Sequence, residues 1–350
     1  MTSRQRVLAA LSGAPVDRPP VVNPGSVMTV ELMDLADASF PDACRDPELA
    51  ARLTATGFTE LGFDSIQPTS SIIQESSALG CKVQWEGKDN WPTVVMKEPI
   101  FHHVDDIRVP ADLLEHPDVT CVLESIRILR RRFGDEVAVF GKAQGPWTLG
   151  YHTFGVEQFL LMAYDDPDAT RVALDRLKEV TVLFGMAQVR AGADALVMSD
   201  HATGDLVSGD YYRRFLRDIH IELARRLPIP IILHICGKTT DRMGYIAETG
   251  MAAFHFDSKN EPAESMGIVD GRIALMGNVN CPDTLYAQGP DAVRVEVRRA
   301  LDAGVQLIAP ECAIPLQTPI ESLRAIPTAV QEWQRTQDAR PRPSAEQRHE

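Results

Sequence analysis

His234 and Cys236 stand two residues apart in the run Ile-Ile-Leu-His-Ile-Cys-Gly, and Cys312 ends a second apolar stretch, Gln-Leu-Ile-Ala-Pro-Glu-Cys. Imidazole nitrogen and thiolate sulfur are ligands for zinc and similar soft ions. Alternate strand residues point to the same side, so His234 and Cys236 can aim at one point, and a neighbouring strand could bring Cys312 to it. Three such ligands leave one position of a tetrahedral zinc open, and two thiolates leave the ion with little net positive charge. That suits a substrate thiolate which must stay nucleophilic better than it suits sharp acidification of water. Two buried thiols and a hydrogen-bonded core histidine would share this spacing, so the pattern alone leaves a purely structural role open.

Other candidates lie at the ends of β-like runs. Asp200, in Val-Met-Ser-Asp, could orient substrate or a ligand histidine, or simply cap a helix; His201 is beside it, and Asp257 repeats the arrangement after Phe254-His255-Phe256. Glu75 and Glu311 are candidate fourth ligands when no thiol is bound, although solvation is the commoner fate of a carboxylate. Cys281 follows Gly277-Asn278-Val279-Asn280 near a strand end and could compete as a ligand, although its place after a loop favours a spectator thiol. Trp147, in Gly-Pro-Trp-Thr, is either wall of a site or core. There is no Walker A run, no Gly-x-Gly-x-x-Gly after a strand and no Gly-x-Ser-x-Gly, so nucleotide binding and serine hydrolysis lack their local physics.

Short β-like runs alternate with helical ones, the pattern of a parallel sheet whose crossovers are helices. Strands are expected over residues 19–23, 61–66, 137–142, 195–199, 229–236, 252–256, 273–278 and 306–312. Eight closes a barrel, with His234, Cys236 and Cys312 at the C-terminal strand ends where barrel enzymes keep their sites. Asp166-Pro167 and Gly289-Pro290 open helices, Gly304 closes the second, and Thr239 or Thr240 could cap a helix that Gly250 stops. Alternation at Val83, Trp85, Val94 and Val95 around Gly87-Lys88-Asp89-Asn90 predicts a β-hairpin inserted after the second strand and overhanging the barrel mouth. We expect one (β/α)8 domain over residues 1–335, and a polar, mobile tail over 336–350.

The chain has 350 residues, 44% hydrophobic and 24% charged, with a net charge of −14. The acidity argues against nucleic-acid partners. No segment is apolar enough to span a membrane, and the N-terminal apolar run is too short for a signal peptide. Six scattered cysteines favour reduced thiols and a cytoplasmic setting.

On several of these residues the chain resembles the uroporphyrinogen decarboxylase superfamily, and within it the methylcobamide:coenzyme M methyltransferases. The resemblance runs from about Arg4 to Ala329. It is carried by Arg4 to Leu11, Asp17-Arg18-Pro19-Pro20, Glu75 to Cys81, Gly145 to Leu149, Ser199-Asp200, His234-Ile235-Cys236-Gly237, Gly277-Asn278-Val279, and Cys312 to Pro315 followed by Thr318-Pro319. It implies Zn2+ on His234, Cys236 and Cys312, and methyl transfer between a corrinoid carried by a partner protein and a small thiol such as coenzyme M or homocysteine. Some relatives run methyl from a methylated substrate onto a corrinoid protein. Asp200 and Asp257 are then expected to serve catalysis, and Glu75, Trp147, His201 and Asn278 to face the cofactor. A homo-oligomer stays open. Two alternatives are a porphyrinogen decarboxylase and an idle corrinoid- or tetrapyrrole-binding barrel. Ser71 stands where the decarboxylases carry an aspartate, and their arginine-rich N-terminal motif is missing near Asn23 to Val27. Asn280 and Glu311 depart from the methyltransferase pattern and leave the thiol unidentified.

Overall fold

The alternating apolar runs fold, in a computed structural model that describes residues 1–339 apart from 26, 69 and 70, into one curled parallel sheet. Among the described residues nine strands occur in chain order: β1 Ser65–Ile66, β2 Val83–Gln84, β3 Thr93–Val94, β4 Ala138–Gln144, β5 Ala195–Ser199, β6 Ile231–Ile235, β7 Ala253–Phe256, β8 Ala274–Val279 and β9 Leu307–Pro310. Seven of them form the sheet in the order β1-β4-β5-β6-β7-β8-β9, all parallel, while β2 and β3 form a separate antiparallel pair with Val83 opposite Val94.

The circle closes through residues 20–22. Val21 bridges Ile308 on β9, the Val22 amide donates to the Ile308 carbonyl at 2.8 Å, and the Asp64 amide donates to the Val21 carbonyl at 2.6 Å. The fold is thus an α/β barrel of the TIM type, with the expected first strand reduced to a single bridge. Pro19 and Pro20 lack the amide hydrogens that a longer ladder needs. The second strand is also shorter than its apolar run, because Leu61 and Gly62 instead donate to carbonyls of the helix Pro47–Thr59 and finish it.

Alternation decides what faces inward. Ala138 and Phe140, Ala195 and Val197, Ile232, Ala253, Met276, Leu307 and Ala309 form one closed cluster inside the barrel. Val7, Ala10 and Leu11 of the helix Ser3–Leu11 join that cluster from the N-terminal end of the strands. The opposite faces pack against the surrounding helices. Continuing the inward alternation towards the C-terminal ends brings Lys142, Ser199, His234, His255 and Asn278 into the top of the barrel. The interior therefore changes from apolar to polar along its axis.

Helix boundaries follow local chemistry. The Asp166 carboxylate accepts from the Ala169 amide at 3.0 Å and opens the helix Pro167–Ala191, which ends at Gly192 with φ 110°. Thr239 precedes the helix Thr240–Ile246, yet its hydroxyl donates to Asn260 at 3.3 Å rather than capping. The last helix, Ile320–Asp338, runs past residue 335, and residues 340–350 of the polar tail lie outside the described residues. Among the described residues no helix is long and apolar enough to cross a membrane.

Candidate metal centre

β6 ends at Ile235, which leaves His234 on the strand and Cys236 at the first position of the turn. His234 Nε2 lies 3.0 Å from Cys236 Sγ and 3.6 Å from Cys312 Sγ, and the two sulfurs are 3.3 Å apart. Ligand atoms around a tetrahedral zinc, with bonds of about 2.0–2.3 Å, are separated by roughly 3.5–3.8 Å. The three donors therefore surround a common point at nearly the spacing such an ion requires. His201 adds a further ligand atom, since those of His201, His234 and Cys236 lie within 4.8 Å of one another.

The two thiols share their hydrogen bond unequally. The bond from Cys236, reinforced by His234, pulls Cys312 well below the usual thiol range, while the same contact and burial push Cys236 well above it. Burial and then the charge of His234 hold the His201 imidazole down to about 4.

The surroundings orient these ligands. His234 Nδ1 lies 3.3 Å from the carbonyl of His255, whose ring stacks on it at 4.5 Å; donation to that carbonyl turns Nε2 towards the sulfurs as a free acceptor. Gly237, at φ 78°, forms the turn after Cys236, and a β-carbon there would lie 2.3 Å from Thr203 Oγ1. Its amide donates to Asp257 at 2.8 Å, its carbonyl accepts from Asn260 at 2.9 Å, and Asn278 donates to the Asn260 carbonyl at 3.0 Å. On the other side the Cys312 carbonyl sits against Gly25, where a β-carbon would approach it to 2.9 Å.

The structure separates the residues singled out in the sequence. His234, Cys236, Cys312 and His201 come together. Asp257 accepts from the Gly237 amide and Asn278 donates to the Asn260 carbonyl, so both brace the Cys236 turn. Asp200 is fully buried, and its oxygens are taken by His220 at 2.9 Å and the Thr148 amide at 2.8 Å, so it anchors a helix start. Trp147 is core, packed against Phe159 at 5.0 Å and Tyr151 at 6.0 Å, because it follows Pro146 into a buried helix. Glu75 accepts from the Gln144 amide at 2.7 Å and its side chain at 3.3 Å. Glu311 accepts from the amides of Cys281 at 2.8 Å and Ser258 at 2.9 Å. Both carboxylates are thus held by amide donors. The buried Cys281 thiol, pushed far up by its burial, sits near the carbonyl of Cys312 at 3.7 Å, a spectator.

Above these donors is a cavity of about 250 Å3. Cys312, His234 and His201 line its floor, and Trp91, Val94 and Met96 from the β2–β3 hairpin region give it an apolar wall. The sequence reading passed over Lys142, which also faces this cavity. Its signal was a lone charge in the otherwise apolar run Val-Ala-Val-Phe-Gly-Lys-Ala-Gln.

Residues 2–333 match the uroporphyrinogen decarboxylase (URO-D) family. Methylcobamide:CoM methyltransferase MtaA of Methanosarcina barkeri is 32% identical over 334 residues, 95% of this chain and 98% of the relative. The methylated-thiol–coenzyme M methyltransferase of Methanosarcina mazei is 30% identical over 95% of this chain and 90% of its own length. A solved methyltransferase structure from Methanosarcina mazei superimposes with a TM-score of 0.92 at 31% identity, covering 95% of this chain and 99% of that one. With the barrel and its cysteine-histidine floor, these similarities show that the chain belongs to the uroporphyrinogen decarboxylase family, in the branch of the methylcobamide:coenzyme M methyltransferases.

Proposed function

We propose that this chain transfers a methyl group between a corrinoid carried by a partner protein and a small thiol, with Zn2+ held by His234, Cys236 and Cys312. The observation that carries this reading is the convergence of one imidazole nitrogen and two sulfurs on the floor of a cavity, in a chain of this branch. A zinc ion there supplies a Lewis acid that lowers the pKa of an incoming thiol, so that its sulfur is a thiolate near neutral pH.

The chain's own residues do the rest. His255, Asp257 and Asn260 hold the ligands in place before substrate arrives, which removes reorganisation from the reaction. At about 250 Å3 the cavity falls below the ~300–1,000 Å3 typical of drug-sized ligands, so it suits a small thiol and leaves the corrin ring outside. The apolar wall of Trp91, Val94 and Met96 limits water around the sulfur. In the reaction a sulfur–carbon bond forms as the cobalt–carbon bond breaks. The electron pair of that bond stays on cobalt, which passes from Co(III) to Co(I), and the thiol proton goes to solvent. Decarboxylation is disfavoured by Ser71, which lines the cavity at the position where the decarboxylases carry an acid.

The test is thiol-dependent demethylation of methylcobalamin, followed by its visible spectrum, together with metal analysis. Stoichiometric zinc and thiol-dependent turnover are expected in the parent, and loss of both in Cys312→Ala. Zinc and activity that survive in Cys312→Ala would overturn the reading.

A further inference from the structure

Asp257 and Asn260 brace the turn that carries Cys236, and a second set of hydrogen bonds holds Cys312 from behind. Glu311, the residue before Cys312, is 5% exposed, and its amide donates to the Val279 carbonyl at the end of β8 at 2.8 Å. One of its carboxylate oxygens accepts from the Cys281 amide at 2.8 Å and the other from the Ser258 amide at 2.9 Å. Both oxygens are thus committed, one to the turn after β8 and one to the turn after β7. The Ser258 hydroxyl in turn accepts from the side-chain nitrogen of Asn280 at 3.0 Å. The side-chain oxygen of Asn280 accepts from the amides of Asp283 at 2.7 Å and Thr284 at 3.1 Å, opening the helix Cys281–Gln288.

Asn280 and Glu311 are the two positions at which the sequence departs from the methyltransferase pattern, and they meet on one residue, Ser258. None of the three is among the described residues that line the cavity, so they act on the cysteine and not on what enters above it. Ser258 follows Asp257, whose carboxylate accepts from the Gly237 amide at 2.8 Å beside Cys236. Consecutive residues after β7 therefore hold the two cysteine-bearing turns, Asp257 the one with Cys236 and Ser258 the one with Cys312. The two sulfurs they control are 3.3 Å apart. A planar peptide fixes the separation of neighbouring residues, so this spacer transmits little slack from one cysteine to the other.

We propose that Glu311 is a positioning residue, the centre of an Asn280–Ser258–Glu311 clasp that fixes Cys312 relative to Cys236 before metal or thiol arrives. This rests on the proposed metal at His234, Cys236 and Cys312 and adds a support particular to this chain. A carboxylate suits the place because it has an acceptor for each of two amides, whereas a glutamine side chain has a single acceptor oxygen. Truncation of Glu311 leaves the buried Cys281 amide without its partner and frees the Cys312 segment from two strand ends at once.

The test uses the full chain loaded with Zn2+ and, in parallel, with Co2+, whose visible bands report the geometry of a tetrahedral sulfur site. Zinc release to a chelator is expected to be about 10- to 100-fold faster in Glu311→Ala than in the parent, with the cobalt bands shifted. Glu311→Gln, which keeps one acceptor, should fall between the two. Ser258→Ala removes only the Asn280 arm and should have a smaller effect. Added to Glu311→Ala it should change little more, because both act through the same turn. Asp64→Asn, at the far end of the barrel, controls for a general loss of stability and should leave the cobalt bands unmoved. Should Glu311→Ala not fold, Glu311→Gln and Ser258→Ala decide the matter. Variants with the parent's release rate and cobalt bands, or changed no more than Asp64→Asn, would overturn the clasp and leave the metal centre standing. A parent that takes up neither Zn2+ nor Co2+ would overturn both.

Discussion

Glu75 illustrates at the scale of one residue how position overrides type. A lone carboxylate reads in sequence as a candidate ligand, but here it is shut away from solvent and hydrogen-bonded to Gln144, and burial pushes its carboxyl up to about 7 from an ordinary 4.5. The folded protein therefore holds this proton more tightly than the unfolded chain does. Its contribution to stability is full below about 4.5 and is lost as the pH rises through about 7. Relative to the parent, Glu75→Gln should gain stability between pH ~5 and pH ~8, by an amount on the order of 3 kcal/mol. Urea unfolding of both proteins at the two pH values measures this. A constant difference would show that Glu75 is not the titrating group.

At the scale of elements, the turn after β6 carries the site. Gly237, Asp257, Asn260 and Asn278 form a chain of hydrogen bonds reaching across three strand ends, and Cys236 is set by that chain rather than by the strand alone. Asp257→Ala should lower zinc affinity about 10- to 100-fold, the usual effect of losing a group that orients a ligand, with the barrel still folded. Competition with a chelator, alongside a circular-dichroism melt, checks both parts. The strands and the meeting of His234, Cys236 and Cys312 were legible in the sequence because both depend on alternation and residue type along short runs. His234 and Cys236 have the period of a strand, and Cys312 ends another apolar run. Three things depended on spatial relations that no local pattern encodes. These were the direction in which Asp200 points, the depth at which Trp147 packs, and the meeting of Lys142 with a cavity whose wall comes from a distant hairpin. The shortening of the first strand was legible in principle, since Pro19 and Pro20 cannot donate to a ladder.

For the molecule as a whole, the two ends of the barrel divide stability from chemistry. At the N-terminal end Asp64 is fully buried and accepts from Arg6 at 2.7 Å, Arg18 at 2.7 Å, Ser3 at 2.6 Å and the Val21 amide at 2.8 Å, joining the closing segment to β1. Asp64→Asn leaves two guanidinium groups without their shared carboxylate. It should destabilise the fold by about 3–5 kcal/mol, read by urea unfolding, with zinc affinity per folded molecule unaltered. A parallel loss of zinc would show that the two ends are coupled. The helix Ser3–Leu11, which plugs this same end, also bears on the order of events in the proposed reaction. A vessel stoppered at the bottom has its thiol, its methyl donor and its product all using one doorway. A corrinoid protein seated over that doorway bars the thiol's way in and the product's way out. In the proposed reaction the thiol is then expected to arrive first and the methylated product to leave last, after the partner has departed.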